Sequence, residues 1–210
     1  MTAIIFDLDG TLLNSLDDLG NAMNTTLTHF GYPTHPMESY KTFVGNGLSK
    51  LCERALGEQQ EHYDTVLAHF LDVYGTQESV AQVYPNVMET LKELNRLEIP
   101  IAIHTNKMQR FTDVIISEIF SDIQFYDVIG DREDGHRKPS AVHTRTLIEA
   151  LPEPKKVFFV GDSDVDMFTA INAEAVPVGV SWGFRSIEQL EGAGAHIVIH
   201  DMKDLLDVIK

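Results

Sequence analysis

Short apolar runs alternate with stretches of helical spacing along most of this chain. The clearest runs cover residues 3–6, 99–103 and 157–160, and each stops at polar groups: Asp7, His104-Thr105 and Gly161-Asp162. Weaker runs cover 126–129, 176–180 and 196–199. Continuous apolar runs rich in Val, Ile and Phe predict strands buried on both faces. Between them, Val87, Leu91, Leu94 and Leu97 recur at helical spacing, as do Phe111, Val114, Ile115 and Ile119. Buried strands alternating with amphipathic helices predict an α/β fold, a Rossmann-like parallel sheet with helices on both faces. Ligands of such a sheet sit at the carboxyl ends of its strands.

Residues 14–84 break the alternation and predict no strand. Ser15-Leu16-Asp17-Asp18 reads as a capping box opening a helix that runs to about His29. Residues 47–57 and 59–74 read as two further helices, with Leu48, Leu51, Cys52 and Ala55 on one apolar face. Gly31-Tyr32-Pro33 and His35-Pro36 mark turns. The expected organisation is an α/β core of residues 1–13 and 85–210, interrupted by an all-helical cap of residues 14–84.

Charge narrows the function classes. With 32 Asp and Glu against 16 Lys and Arg, the 210-residue chain carries a net charge of −16. Such a surface repels nucleic-acid phosphates and anionic membranes, and no basic stripe offsets it. Neither partner is expected, and a small anionic substrate needs locally concentrated positive charge. Cys52 is the single cysteine, so no intrachain disulfide forms, which fits a reducing compartment. The first residues lack the basic start and apolar stretch of a signal peptide, and no run approaches the roughly 18 apolar residues of a membrane span. A cytoplasmic monomer or homodimer is the expectation.

The strand ends carry the candidate chemistry. Asp7-Leu8-Asp9-Gly10-Thr11 follows the first strand directly. Two carboxylates two residues apart, followed by a glycine, can aim both at one point above the sheet, with loop amides facing an anion. An ordinary acidic turn has the same composition. Gly161-Asp162-Ser163-Asp164-Val165-Asp166 repeats the arrangement after another strand. An acidic helix start accounts for one such cluster. Two clusters on one sheet edge repel each other unless a hard divalent cation with oxygen ligands, such as Mg2+, sits among them. Thr105-Asn106 at a third strand end offers a hydroxyl and a helix N-terminus as a phosphate seat, although such a Thr also serves as a simple helix cap. Arg137-Lys138-Pro139 precedes another helical stretch, with Pro139 suited to its first turn and Lys138 a point charge for a phosphoryl oxygen or a carboxylate.

In this order the four motifs resemble those of the haloacid dehalogenase superfamily of phosphohydrolases: Asp7-x-Asp9-Gly10-Thr11, Thr105-Asn106, Lys138-Pro139 and Gly161-Asp162-x3-Asp166. The resemblance covers essentially the whole chain. It implies that Asp7 attacks phosphorus to form an aspartyl-phosphate while Asp9 serves as general acid and base. It implies Mg2+ held by Asp7, the Asp9 backbone carbonyl and Asp162, with Asp166 as a further ligand or just behind one. Thr105 and Lys138 then bind phosphoryl oxygens, with Gly10, Thr11 and Asn106 beside them. Asp9 itself stands where dehalogenases carry an aromatic residue and ion-pumping ATPases a Thr.

The helical cap resembles that of the phosphoglycolate phosphatase branch. Phe43-Val44-Gly45-Asn46-Gly47 matches a cap loop of that group, and Trp182-Gly183-Phe184-Arg185 a segment after its fifth strand. Gly45, Asn46, Gly47 and Arg54 are therefore expected to contact a small phosphorylated metabolite such as 2-phosphoglycolate, Arg54 by pairing with a second acidic group. A surface helix arginine is the plainer reading of Arg54. A β-phosphoglucomutase-like phosphomutase or an inorganic pyrophosphatase shares the motifs, but the basic residues of a mutase cap are missing near Asn14–Asn24. A receiver-like phospho-accepting signalling module is smaller and lacks the insert. His62 and His69 find no third residue at zinc-ligand spacing.

Overall fold

The structure, a computed structural model, describes residues 2–152 and 154–210. From the N-terminus, β1 (Thr2–Phe6) leads through β2 (Leu13–Asn14) into four helices, α1 (Leu16–His29), α2 (Met37–Phe43), α3 (Leu48–Leu56) and α4 (Tyr63–Thr76). After β3 (Gln82–Val83) come α5 (Val87–Arg96), β4 (Ile101–Met108), α6 (Gln109–Ile119), β5 (Val128–Asp131) and α7 (Val142–Ala150). The chain closes with β6 (Lys156–Gly161), α8 (Asp164–Asn172), β7 (Val176–Val180), α9 (Ile187–Gly192), β8 (Ile197–Ile199) and α10 (Leu205–Val208).

Six strands form one parallel sheet in the order β5-β4-β1-β6-β7-β8. Successive side chains of each strand point to opposite faces of the sheet, as pleating requires. Ile4 and Phe6 of β1 join Ile103, Phe158 and α5's Val87, Leu91 and Leu94 on one side. Ala3 and Ile5 join Phe159, α7's Leu147 and α8's Ala170 on the other. Helices on both faces thus keep the sheet dry, and the three central strands β4, β1 and β6 end at the same edge. No helix of the described residues is long and apolar enough to cross a membrane.

Helices α1–α4 share an apolar cluster of their own, with Leu19, Met23, Tyr40, Leu51, Val66 and Phe70 among its buried members. Cys52 is buried in it. The structure differs from the expectation of no strand in residues 14–84: β2 and β3 pair antiparallel, Leu13 against Val83 and Asn14 against Gln82, where the chain leaves and re-enters the core. Two-residue strands leave no hydrophobic period to read. Helix α2 is also unanticipated, because Tyr40 is its one fully buried residue. The predicted capping box at Ser15 is not made. Its hydroxyl instead donates to Asp9 Oδ1 at 2.6 Å.

Asp18 is buried for a related reason. It accepts from the Ser79 hydroxyl at 2.5 Å and the Val80 N–H at 2.8 Å, tying α1 to the returning segment before β3. Asp18→Ala strands those donors, which costs about 1–3 kcal/mol. At this chain length a loss of about 1 kcal/mol lowers Tm by roughly 2–4 °C, so thermal melting should show a drop of at least that size. An unchanged Tm would show that water replaces the carboxylate without loss.

Candidate active site

Asp7 lies one residue beyond β1, and its N–H donates to Val160 O at 2.9 Å, extending the pairing with β6. Asp162 follows β6, so the two acidic loops lie side by side. Between them the packing admits no extra atom. Gly10 has φ +88°, and a Cβ there would lie 2.4 Å from Asp162 Oδ2 and 2.7 Å from Phe184. Asp162 is pressed from the other side by Gly183, whose added Cβ would fall 2.1 Å from its own. Phe184 N–H then donates to Asp162 Oδ2 at 2.7 Å, and Trp182 Nε1 to Thr11 O at 3.1 Å. The Trp182–Arg185 segment is therefore what holds both acidic loops in place.

Lys138 bridges the clusters. Its Nζ donates to Asp7 Oδ1 and Asp166 Oδ1, both at 2.6 Å, and is buried with them. Asp166 Oδ2 accepts from the Ser163 N–H and hydroxyl, closing a capping box at the start of α8. Both Asp166 oxygens are thus engaged. Burial, opposed by Lys138 but reinforced by Asp166 and Asp9, pushes the Asp7 carboxyl up to about 7. Burial, with Asp166 and Asp7 adding to it, raises Asp162 well above the usual carboxylate range. Lys138 goes up instead: burial opposes its charge, but Asp166 and Asp7 outweigh that.

Asp7, Asp162 and Asp166 each bring a carboxylate oxygen within 4.8 Å of the others. An all-oxygen, buried, charge-strained donor set of this kind suits a hard divalent cation. Asp162 Oδ1 and Asp7 Oδ2 carry no hydrogen bond among the described residues, while Asp166 is already spent on Lys138 and Ser163. Asp7 and Asp162 thus have oxygens to offer such a cation, and Asp166 lies beside them.

Other expected residues fall differently. Strand β4 runs to Met108, three residues beyond Thr105, with a register irregularity against β5 between His104 and Met108. Thr105 therefore lines the cavity from within a strand, not from a helix N-terminus. Asn106 uses its side chain on the backbone: Oδ1 accepts from Lys138 N–H at 2.8 Å, and Nδ2 donates to Lys138 O at 3.2 Å and Gly45 O at 3.1 Å. Pro139 precedes α7 by three residues, outside its first turn. Thr11 is fully buried, and neither it nor Gly10 lines the cavity above Asp7. Arg54 turns away, donating to Phe43 O at 2.8 Å and Asn46 Oδ1 at 2.6 Å, so neither it nor Asn46 reaches the cavity. Both serve to fasten the end of α2 to α3.

The cavity measures about 30 Å3, room for roughly two waters. Asp7, Asp9, Thr105 and Lys107 line its floor, and Leu19, Val44, Gly45, Gly47, Leu48 and Leu51 of the helical insert its roof. Three side chains of the α/β layer fasten that roof. Arg185 donates to Lys41 O and, at 3.0 Å, to Val44 O. Arg137 joins Asp131 at 2.6 Å to the Ser49 hydroxyl at 2.7 Å. Asn106 reaches Gly45 O, as above. Lys107 was not expected at all. Its Nζ donates to both Asp9 oxygens, at 2.9 and 2.8 Å, with its side chain fully buried. A lysine directly after Thr105-Asn106 was the available signal, hidden because the apolar run ends four residues earlier.

Residues 4–180 match the model of the haloacid dehalogenase-like hydrolases. This chain belongs to that family. Among its relatives, phosphoglycolate phosphatase 1 of Pseudomonas aeruginosa is 32% identical over 211 residues, spanning 97% of this chain and 78% of that protein. A Vibrio parahaemolyticus phosphoglycolate phosphatase is 31% identical over 216 residues, spanning 98% and 95%. In three dimensions, a Lactobacillus delbrueckii subsp. bulgaricus protein superposes with a TM-score of 0.92 at 27% identity, over 99% of this chain and 97% of the other. A predicted phosphoglycolate phosphatase from Haemophilus somnus gives 0.88 at 27% identity, over 99% and 97%. The chain is thus a hydrolase of the phosphoglycolate phosphatase-like kind.

Because Asp7 moves from its ordinary 3.8 to about 7, the folded protein holds more protons than the unfolded chain between those values. Stability from this group therefore falls as pH rises through that window, and Asp162 adds in the same direction. A divalent cation displaces those protons, so the Tm gain from magnesium chloride should be larger at about pH 8 than at about pH 5. Equal gains at both would place the cation elsewhere.

Proposed function

We propose that this hydrolase is a Mg2+-dependent phosphomonoesterase acting through an aspartyl-phosphate on Asp7, with a small phosphorylated metabolite such as 2-phosphoglycolate as substrate. The observation that carries the reading is the state of Asp7. One oxygen is fixed by Lys138 at 2.6 Å and the other is free at the floor of the cavity, beside a second carboxylate. A non-catalytic phosphate binder gains nothing from a bare carboxylate facing its anion.

A carboxylate oxygen of Asp7 attacks phosphorus in line, and the bond to the departing oxygen breaks as Asp9 protonates it. Lys138 opposes the rise that burial imposes on Asp7 and so favours its ionised form, and Thr105 offers its hydroxyl to the transferred group. Asp9 then takes a proton from the water that cleaves the acyl-phosphate. Asp7, the Asp9 backbone carbonyl and Asp162 would hold Mg2+, whose positive charge would offset the repulsion of an anionic attacker for an anionic phosphoryl group. Residues 14–84 act as the cap, closing through Arg185, Arg137 and Asn106. Its leucine- and valine-lined roof, with Gly45 and Gly47 among its members, favours a compact leaving group. The 31–32% identical relatives named phosphoglycolate phosphatase support that choice. Neither a nucleic acid nor a membrane enters this reading.

A panel of phosphorylated metabolites ranked by kcat/KM should place phosphoglycolate at or near the top. A hexose monophosphate at the top with no free phosphate released would point to a mutase instead. Asp7→Asn, nearly isosteric but a poor nucleophile, should lower kcat by at least about 10⁴-fold with circular dichroism unchanged. Retained activity would end the covalent mechanism. Asp9→Asn should release p-nitrophenol from p-nitrophenyl phosphate in a rapid burst, then turn over roughly a hundredfold more slowly.

A further inference from the structure

Each carboxylate at the floor of the cavity is gripped by its own buried lysine. Lys138 holds Asp7, and the mechanism above uses it. Lys107 holds Asp9, and nothing above gives that pair a role. Its side chain is wholly buried while Asp9's keeps about a fifth of its surface, 19%. Lys107 donates to Asp9 Oδ1 at 2.9 Å and Oδ2 at 2.8 Å. Ser15 adds a 2.6 Å hydrogen bond to Oδ1. The ammonium also rests 5.1 Å from the centre of the Tyr74 ring. Oδ1 thus receives two donors and Oδ2 one, which leaves Oδ2 with the spare lone pair.

Burying an ammonium costs several kcal/mol unless its partner geometry is good. A buried methionine would fill this space among Ser15, Tyr74 and the end of β4 without that cost. The chain spends a charge here, and the group it orients is the proposed acid and base. Lys107 is too far occupied to serve as the phosphoryl clamp as well: both Asp9 oxygens and the Tyr74 ring take up its ammonium.

We propose that Lys107, with Ser15, is a positioning residue that fixes Asp9 with Oδ2 toward the cavity, so that this oxygen takes the proton of the water in the second half of the reaction. The proposal rests on the phosphatase reading above. In that step the water oxygen bonds to phosphorus, the phosphorus–Asp7 oxygen bond breaks with its electron pair returning to Asp7, and the water proton passes to Asp9 Oδ2. Inorganic phosphate leaves, and Asp9 holds one proton for the next leaving group. Lys107 touches neither phosphorus nor water; it acts through Asp9.

The test is stopped-flow turnover of p-nitrophenyl phosphate by the full chain with Mg2+, comparing wild type, Lys107→Met, Ser15→Ala, Asp9→Asn and Lys107→Met/Asp9→Asn. The activated leaving group needs no acid, so the first step is spared. Lys107→Met should keep a burst of about one p-nitrophenol per enzyme, then turn over roughly a hundredfold slower, the low end of what general acid–base catalysis supplies. KM should not rise. Ser15→Ala should slow the same phase several-fold, and Lys107→Met should cost nothing further when Asp9 is already Asn. A raised KM with an unslowed second phase would make Lys107 a substrate-binding group and overturn the proposal. So would a full additional loss in the Asp9→Asn background, or an unslowed Ser15→Ala should Lys107→Met fail to fold. If wild type itself does not turn over, the phosphatase reading has failed instead.

Discussion

At the carboxyl edge of β1, β4 and β6, four carboxylates crowd together with two ammonium groups, most of them out of water. Coulomb repulsion among Asp7, Asp9, Asp162 and Asp166 would push these loops apart, and the dry sheet below offers no solvent to screen it. Lys138 and Lys107 offset part of that repulsion by bonding directly across it. Burial, with the uncompensated repulsion adding to it, raises the Asp7 and Asp162 carboxyls above their ordinary range. The imbalance leaves a place where negative charge is under-compensated, the kind of place a hard cation suits.

Other contacts are arranged around that strain. Gly10 and Gly183 leave Asp162 no lateral room, Phe184 and Trp182 fasten the loops from outside, and Ser163 closes on Asp166. Arg137, Asn106 and Arg185 then carry the order outward to the helical insert. Each of these three reaches from a segment adjoining the site, so the roof is registered against the acidic groups and not merely placed above them.

The sheet was legible because its strands are buried on both faces, which makes runs such as 3–6 and 157–160 continuous and apolar. The acidic clusters were legible because they sit at abrupt ends of those runs. Legibility stopped where geometry depends on contacts distant in sequence. Lys107 and Ser15 meet at Asp9 only after β4 and α1 fold together, 98 and 6 positions away. Ser15 looked like a helix cap because its local context is one, yet a tertiary partner outcompeted the helix. Arg54 looked available to a ligand, but the free carbonyls at the end of α2 were nearer acceptors. Two-residue strands such as β2 and β3 carry no period at all.

The roofed cavity has a mechanical corollary. The space between floor and roof is small, about 30 Å3, so the roof residues lie against whatever fills it. The guanidinium and amide hydrogen bonds to Lys41, Val44, Ser49 and Gly45 set the height of that roof. Clearance above Asp7 and Asp9 is thereby written into three side chains that touch neither carboxylate, so a change at any of them alters the height of the chamber while leaving its floor intact.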